Sequence, residues 1–169
     1  MPVSADPLKF KKYIEPIRDS ILSRKETIAV AESVTSGLLQ AAFSMAPDAE
    51  KFYQGGITAY NIGQKVRHLK VEPIHAMECN CVSLKVSAEM AENVCNLFNS
   101  DWGIGITGYA SPVPESENKV FAYFAIVYNG KIVVAKNIKP KKAIPIIVQV
   151  LYANEVLQEL NYYLKTLQD

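Results

Sequence analysis

Two β-prone runs, residues 121–127 and 131–138, are separated by a turn centred on Asn129-Gly130. An Asn-Gly pair favours a type I′ turn, because both central residues must take positive φ. An antiparallel hairpin is therefore predicted here, and every other element has to fit around it. Upstream of it, helical and strand patterns alternate along the chain. That alternation predicts a sheet with helices on both faces. The hairpin makes the sheet mixed rather than purely parallel. The predicted architecture is a three-layer α/β/α domain with a mixed central sheet.

The individual elements follow from caps and periodicity. Asp6-Pro7 fits an N-cap with proline in the first turn, and Leu8, Ile14, Ile17 and Ile21 give a rough apolar stripe. Pro16 predicts a kink or a restart in that helix. Residues 27–31 read as a buried strand, 37–45 as a packed helix and 56–60 as a second strand. Asn61 fits the cap of a helix running to about His68. Ser83 fits the cap of the next, with Val86, Met90, Val94 and Leu97 along one face. Residues 104–107 form a short predicted strand. The last helix carries Pro145 in its first turn and Ile147, Val150, Leu157, Leu160 and Leu164 on its buried face.

At 169 residues the chain suits a single domain, 1–169, large enough to hold its own core. Its 18 basic and 17 acidic side chains leave a net charge of +1, which argues against a protein built to grip nucleic acid or an anionic membrane. The nine tyrosines do not interleave with basic residues as a base-stacking platform would. Three cysteines do not make a disulfide framework, so a reducing, cytoplasmic setting is expected. No basic stretch leads into an apolar run at Met1 to Asp6, and no signal peptide is expected. No apolar stretch approaches the roughly 18 residues that a membrane span needs.

Three segments carry candidate chemistry. In the first, the strand at 27–31 runs through Glu32 into Ser33, Val34, Thr35, Ser36 and Gly37, then into a helix. Turn residues at the carboxyl end of a strand are where α/β proteins bind ligands. The helix behind them offers unpaired N–H groups for a phosphate or an oxyanion. Taken alone, the segment reads first as Ser33, Thr35 and Ser36 capping the helix. In the second, Tyr60 closes a predicted strand and Lys65 lies about one turn into the next helix. A buried lysine there fits a general base for a serine hydroxyl; a solvated lysine beside a core aromatic is the alternative. In the third, Thr107 and Gly108 end a strand, where their backbone fits a ligand phosphate or amide, or simply a turn.

Taken together, these segments resemble the C-terminal domain of the competence/damage-inducible CinA proteins, the nicotinamide-nucleotide amidohydrolase family. That family typically reads Ala-Glu-Ser-Cys-Thr-Gly-Gly-Leu, and Ala31 to Leu38 match with Val34 and Ser36 as the two changes. Gly55, Gly56, Tyr60 and Lys65 keep the spacing of its second motif. Thr107, Gly108, Ala110 and Pro112 keep its third. The likeness extends from about Leu8 to the final helix. It implies hydrolysis of the carboxamide of nicotinamide mononucleotide without metal or other cofactor. It further implies Ser33 as nucleophile, Lys65 as general base and Tyr60 as the residue that orients or relays the proton. Thr35, Ser36, Gly37, Thr107, Gly108 and Lys142 are then the expected substrate contacts, with the small-molecule nucleotide as partner and a homo-oligomer as the expected assembly. Where the family has a glycine-rich loop, this chain has Ser111-Pro112-Val113-Pro114-Glu115, which is stiffer and adds a negative charge. Where the family carries arginines entering its last helix, this chain has Lys139, Lys141 and Lys142.

Two other readings remain open at this level. A chain with the same fold and an altered third motif fits a nucleotide binder that does not turn over, or an oligomeric interaction protein. His75, Cys79 and Cys81 lie close in sequence, but a structural tetrahedral site needs four ligands and no second cluster completes it.

Overall fold

The computed structural model describes residues 10–141 and 143–167. Its chain order is α1 (Lys11–Ser23), β1 (Ile28–Glu32), α2 (Leu38–Ser44), β2 (Tyr53–Thr58), α3 (Ile62–Leu69), α4 (Pro73–Glu78), α5 (Leu84–Phe98), β3 (Trp102–Tyr109), β4 (Phe121–Tyr128), β5 (Lys131–Ile138) and α6 (Pro145–Thr166). The strands form one sheet in the order β2-β1-β3-β4-β5. β1 pairs in parallel with β2 and β3, while β3/β4 and β4/β5 are antiparallel. The hairpin turn forms as expected, with Asn129 at φ 47° and Gly130 at φ 74°.

Helices cover both faces. On one side α1, α2 and α6 pack through Ile17, Phe43, Tyr152, Leu157 and Leu160 against Ile28 and Val30 of β1 and Ile104 and Ile106 of β3. On the other side Leu69 of α3, Ala76 of α4 and Val86, Met90 and Val94 of α5 meet Ala29 and Ala31 of β1. The two faces of the sheet are built from different residue sizes. Strand alternation sends Ile28, Val30, Ile104 and Ile106 to one face and Ala29, Ala31, Gly103 and Gly105 to the other. That second face is a strip of small residues, and α5 lies directly on it. At Gly105 an added Cβ would sit 2.2 Å from the Ser87 carbonyl oxygen and 2.6 Å from the Ala91 nitrogen. Backbone touches backbone there, so the absence of a side chain sets the helix-to-sheet distance.

Several elements differ from expectation. α1 runs through Pro16 as one helix instead of restarting there, and Asp6, Pro7 and Leu8 lie outside the described residues. β2 sits earlier than expected, because Tyr53 stacks on Phe43 and an irregularity between Ile28 and Ala29 lets Gly55 follow in register. β3 starts at Trp102, which is fully buried and stacked on Tyr128. α4 was not anticipated, although Glu72 caps it by accepting from Ile74 N and His75 N, with Pro73 in the first turn. Leu97 is 49% exposed, and Phe98 packs in the position expected for it. On α6 the buried seam runs through Val148, Tyr152 and Val156, so Ile147 and Val150 flank it and do not lead it. Among the described residues, no helix is long and apolar enough to cross a membrane.

The tight seat of α5 generates a test. Gly105→Ala forces α5 off the sheet, and overpacking of this kind costs about 1–3 kcal/mol. The urea midpoint should fall while the denaturant slope stays constant. An unchanged midpoint would show that α5 is not held at this distance.

Candidate active site

β1 and β3 are adjacent and parallel, so their carboxyl ends open on the same edge of the sheet. The ladder continues one step past the strands. Ser33 N donates to Ile106 O at 3.1 Å, and Ala59 N donates to Glu32 O at 2.9 Å. Backbone pairing therefore fixes both the start of the Ser33 turn and the start of the loop leading to α3. Ser33 is 6% exposed.

Asn61 caps α3 by accepting from Gln64 N at 3.1 Å, which places Lys65 in the first turn facing inward. Lys65 is 2% exposed. Its Nζ donates to Ser33 Oγ at 2.9 Å and to the Tyr60 carbonyl at 3.2 Å. Among the described residues no carboxylate forms an ion pair with it. Burial pushes the Lys65 pKa below its ordinary 10.5, with the nearby Cys81 acting in the opposite sense. Desolvation disfavours the ammonium, so the neutral amine becomes accessible nearer to neutral pH. Burial likewise pushes the Cys81 thiol up.

Tyr60 lies in the loop after β2, not in a strand, and is 75% exposed. It touches Lys65 through its main-chain carbonyl; its hydroxyl is not the contacting atom. It does line the same cavity as Ser33 and Lys65, which measures about 740 Å³.

The start of α2 differs in kind from expectation. Its N–H groups are not open to an anion, because Glu32 takes them. The fully buried Glu32 carboxylate accepts from Gly37 N at 3.2 Å, Leu39 N at 3.1 Å and Gln40 N at 2.8 Å. An acidic group at a helix start satisfies both the orphan donors and the dipole. Ser36 N is also taken, by Ser33 O at 3.2 Å. The N–H groups of Val34 and Thr35 keep no partner among the described residues, and Val34 lines the cavity.

The remaining expected contacts divide. Thr107 and Gly108 line the cavity; Thr35, Ser36 and Gly37 do not. Thr35 is fully buried with its hydroxyl unpartnered among the described residues. Ser36 is exposed and Gly37 caps α2 in the left-handed region. Thr107 donates its hydroxyl to Cys81 O at 2.7 Å, so it holds the Asn80-Cys81 turn at the cavity wall. Gly108 is required by close approach, since a Cβ there would lie 2.5 Å from Phe121 O. Lys142 lies outside the described residues. Ser111 and Val113 reach the cavity, while Glu115 is exposed and outside its lining. His75 contacts Ser83 Oγ at 2.9 Å, and no group of three metal-ligating side chains converges among the described residues.

Two residues of this site were not anticipated. Glu32 has a legible signal, being an acid placed directly before a helix start. Gln149 of α6, whose Nε2 donates to Val34 O at 2.8 Å, has none, since its partner is 115 residues away in the chain.

The fold and site define a three-layer α/β protein with a serine–lysine pair at the carboxyl edge of its parallel strands. The family model for the CinA C-terminal domain matches residues 11–161, and the chain belongs to that family. A CinA-like protein of Prochlorococcus marinus is 38% identical over 126 residues, covering 72% of this chain and 30% of that protein. A CinA-like protein of Picosynechococcus is 37% identical over 112 residues, covering 66% of this chain and 27% of that protein. The chain thus matches under a third of the length of these relatives. A competence-damaged protein (CinA) superfamily protein from Klebsiella pneumoniae has the same fold, with TM-score 0.87, 23% identity, and 93% of this chain and 98% of that one covered.

Removing the Glu32 charge tests the α2 cap. Hydrogen bonds to a charged acceptor contribute about 1.5–3 kcal/mol each. Glu32→Gln keeps the shape but turns one oxygen into a donor facing an N–H. Stability to urea should fall by about 2 kcal/mol or more. A variant as stable as the parent would show that the three contacts do not hold the helix start.

Proposed function

We propose that this chain is a serine–lysine amidohydrolase that converts nicotinamide mononucleotide to nicotinate mononucleotide and ammonia. The observation carrying the reading is the 2.9 Å contact between the buried Lys65 amine and Ser33 Oγ. Neutral Lys65 takes the Ser33 proton as Oγ attacks the carboxamide carbon. The Val34 N–H is the donor placed to meet the developing oxyanion. Lys65 then gives the proton to the departing nitrogen, and ammonia leaves an acyl group on Ser33. Lys65 next takes a proton from water, which attacks the acyl carbon, and returns a proton to Ser33 as the carboxylate is released. The Tyr60 carbonyl keeps Nζ aimed through the cycle. The resemblance to the CinA C-terminal domain implies the same roles for Ser33 and Lys65, while the proton relay it implies for the Tyr60 side chain has no matching contact among the described residues.

Ammonia release from nicotinamide mononucleotide by the purified chain tests this directly. Ser33→Ala and Lys65→Met should each lower turnover by about a thousandfold or more. Well-folded parent protein that binds the nucleotide without releasing ammonia would favour a binding module instead.

The pH dependence has a fixed sign. The base works only when unprotonated, so kcat/KM should rise with pH along one ionisation. Its midpoint should lie below the ordinary lysine value of 10.5. Because the folded protein binds this proton less tightly than the unfolded chain, Lys65 also makes stability rise with pH between its folded and unfolded pKa values. Lys65→Met should remove that slope. A parent profile whose kcat/KM shows no rising limb below pH 10.5 would exclude Lys65 as the base.

A further inference from the structure

The first turns of α6 reach both loops that frame the nucleophile. Gln149 Nε2 donates to Val34 O at 2.8 Å, and one turn on, Tyr152 OH donates to Tyr109 O at 2.8 Å. A carbonyl only accepts, so the Gln149 contact must be made by its amide nitrogen, which fixes the orientation of that amide. Gln149 and Val34 both line the Ser33 cavity.

Val34 is restrained on both sides. The preceding carbonyl, Ser33 O, accepts from Ser36 N at 3.2 Å and Ser36 Oγ at 3.3 Å. The following carbonyl, Val34 O, is held by Gln149. In a trans peptide the C=O and N–H point in opposite directions, so anchoring a carbonyl also aims the N–H of the same unit. Ser36 thereby aims the Val34 N–H, and Gln149 keeps the Val34 carbonyl turned toward α6. Without that anchor the peptide after Val34 is free to rotate. A carbonyl dipole swung toward the cavity would oppose negative charge on the substrate oxygen.

We infer that Gln149 is a positioning residue for the oxyanion site, holding the Val34 carbonyl on α6 so that its dipole stays turned away from the oxygen of the tetrahedral intermediate on Ser33. This rests on the serine–lysine reading above. It assigns a role to a residue outside the three motifs.

The test compares the full chain with Gln149→Leu, which keeps bulk but cannot donate, and with Gln149→Glu, nearly isosteric and unable to donate when ionised. Two probes report the transition state without requiring the right amide: the rate at which a fluorophosphonate labels Ser33, and the affinity of pyridine-3-boronic acid, which closes to a tetrahedral adduct on Ser33. Both variants should label about tenfold or more slowly, and boronate affinity should weaken by a similar factor. Nicotinamide mononucleotide binding, compared in a Ser33→Ala background with and without Gln149→Leu, should change less than about twofold, because uniform binding is not what is lost. If one variant fails to fold, the other carries the comparison. Labelling and boronate binding within twofold of the parent overturn the inference, as does a loss confined to nucleotide binding. A parent that labels at Ser33 and binds the boronate but releases no ammonia sinks the substrate assignment and leaves the Gln149 comparison intact. A parent that does neither overturns both.

Discussion

A lysine amine buried to 2% exposure with a serine hydroxyl and one main-chain carbonyl as its hydrogen-bond acceptors is the contact on which the rest of this site depends. An ammonium in that position would carry a desolvation cost on the order of several kcal/mol, with no carboxylate among the described residues paired to offset it. Burial therefore shifts the balance toward the neutral amine, which is the form a general base needs. The nearest acid in sequence to Ser33 is Glu32, and its carboxylate is engaged with three N–H groups at the start of α2. Had that acid faced Lys65, the pair would have held the lysine charged. Keeping Glu32 on the helix and Lys65 on the serine separates the two chemistries within a single turn of chain.

The backbone fixes that separation before any side chain does. Ser33 follows β1 and Lys65 follows β2, and these are parallel neighbours. Their carboxyl ends therefore open together, and the extra ladder contacts at Ser33 and Ala59 hold both exits in line. The strip of small residues on the opposite face has a related effect. Because Gly105 admits the backbone of α5 to contact distance, the chain entering α5 is drawn against the sheet. That chain includes the Asn80-Cys81 turn, where Asn80 and Cys81 both take positive φ and Thr107 grips the Cys81 carbonyl. The cavity wall is thus set by a residue-size pattern in strands that contribute little chemistry themselves.

What was legible in the sequence was what short-range physics determines. Asn129-Gly130 specified its turn, and the apolar run at 27–31 specified a buried strand. Asn61 and Ser83 specified their helix starts through single side-chain caps. The Ser33, Lys65 and Thr107 segments were found, and the fold brings all three to one cavity. The errors come from partners distant in the chain. β2 is shifted because Tyr53 stacks on Phe43, an aromatic contact that strand periodicity does not encode. In α6 Leu157, Leu160 and Leu164 are buried as expected, and only the first turns differ, with Val148 and Tyr152 turned inward where Ile147 and Val150 were expected, because its neighbours are α1, α2 and the sheet together. The start of α2, read as open to a phosphate or an oxyanion, is instead filled by Glu32, whose place directly before the helix was the signal for it.

The same distinction explains why catalytic and positioning residues differ in visibility. A nucleophile and its base must be particular residue types at particular spacings, so they leave a pattern in the sequence. A residue that holds a carbonyl needs only a donor of suitable length on whichever element passes nearby. Gln149 satisfies that need from α6, and its position in the chain is set by how the helix lies across the sheet. The helix lies there because Tyr152, Val156, Leu157 and Leu160 are fully buried against the strands beneath it. The hydrophobic seam of α6 therefore decides which residue reaches the Val34 carbonyl. A change in that seam would alter the geometry around Ser33 and Lys65 without touching either side chain.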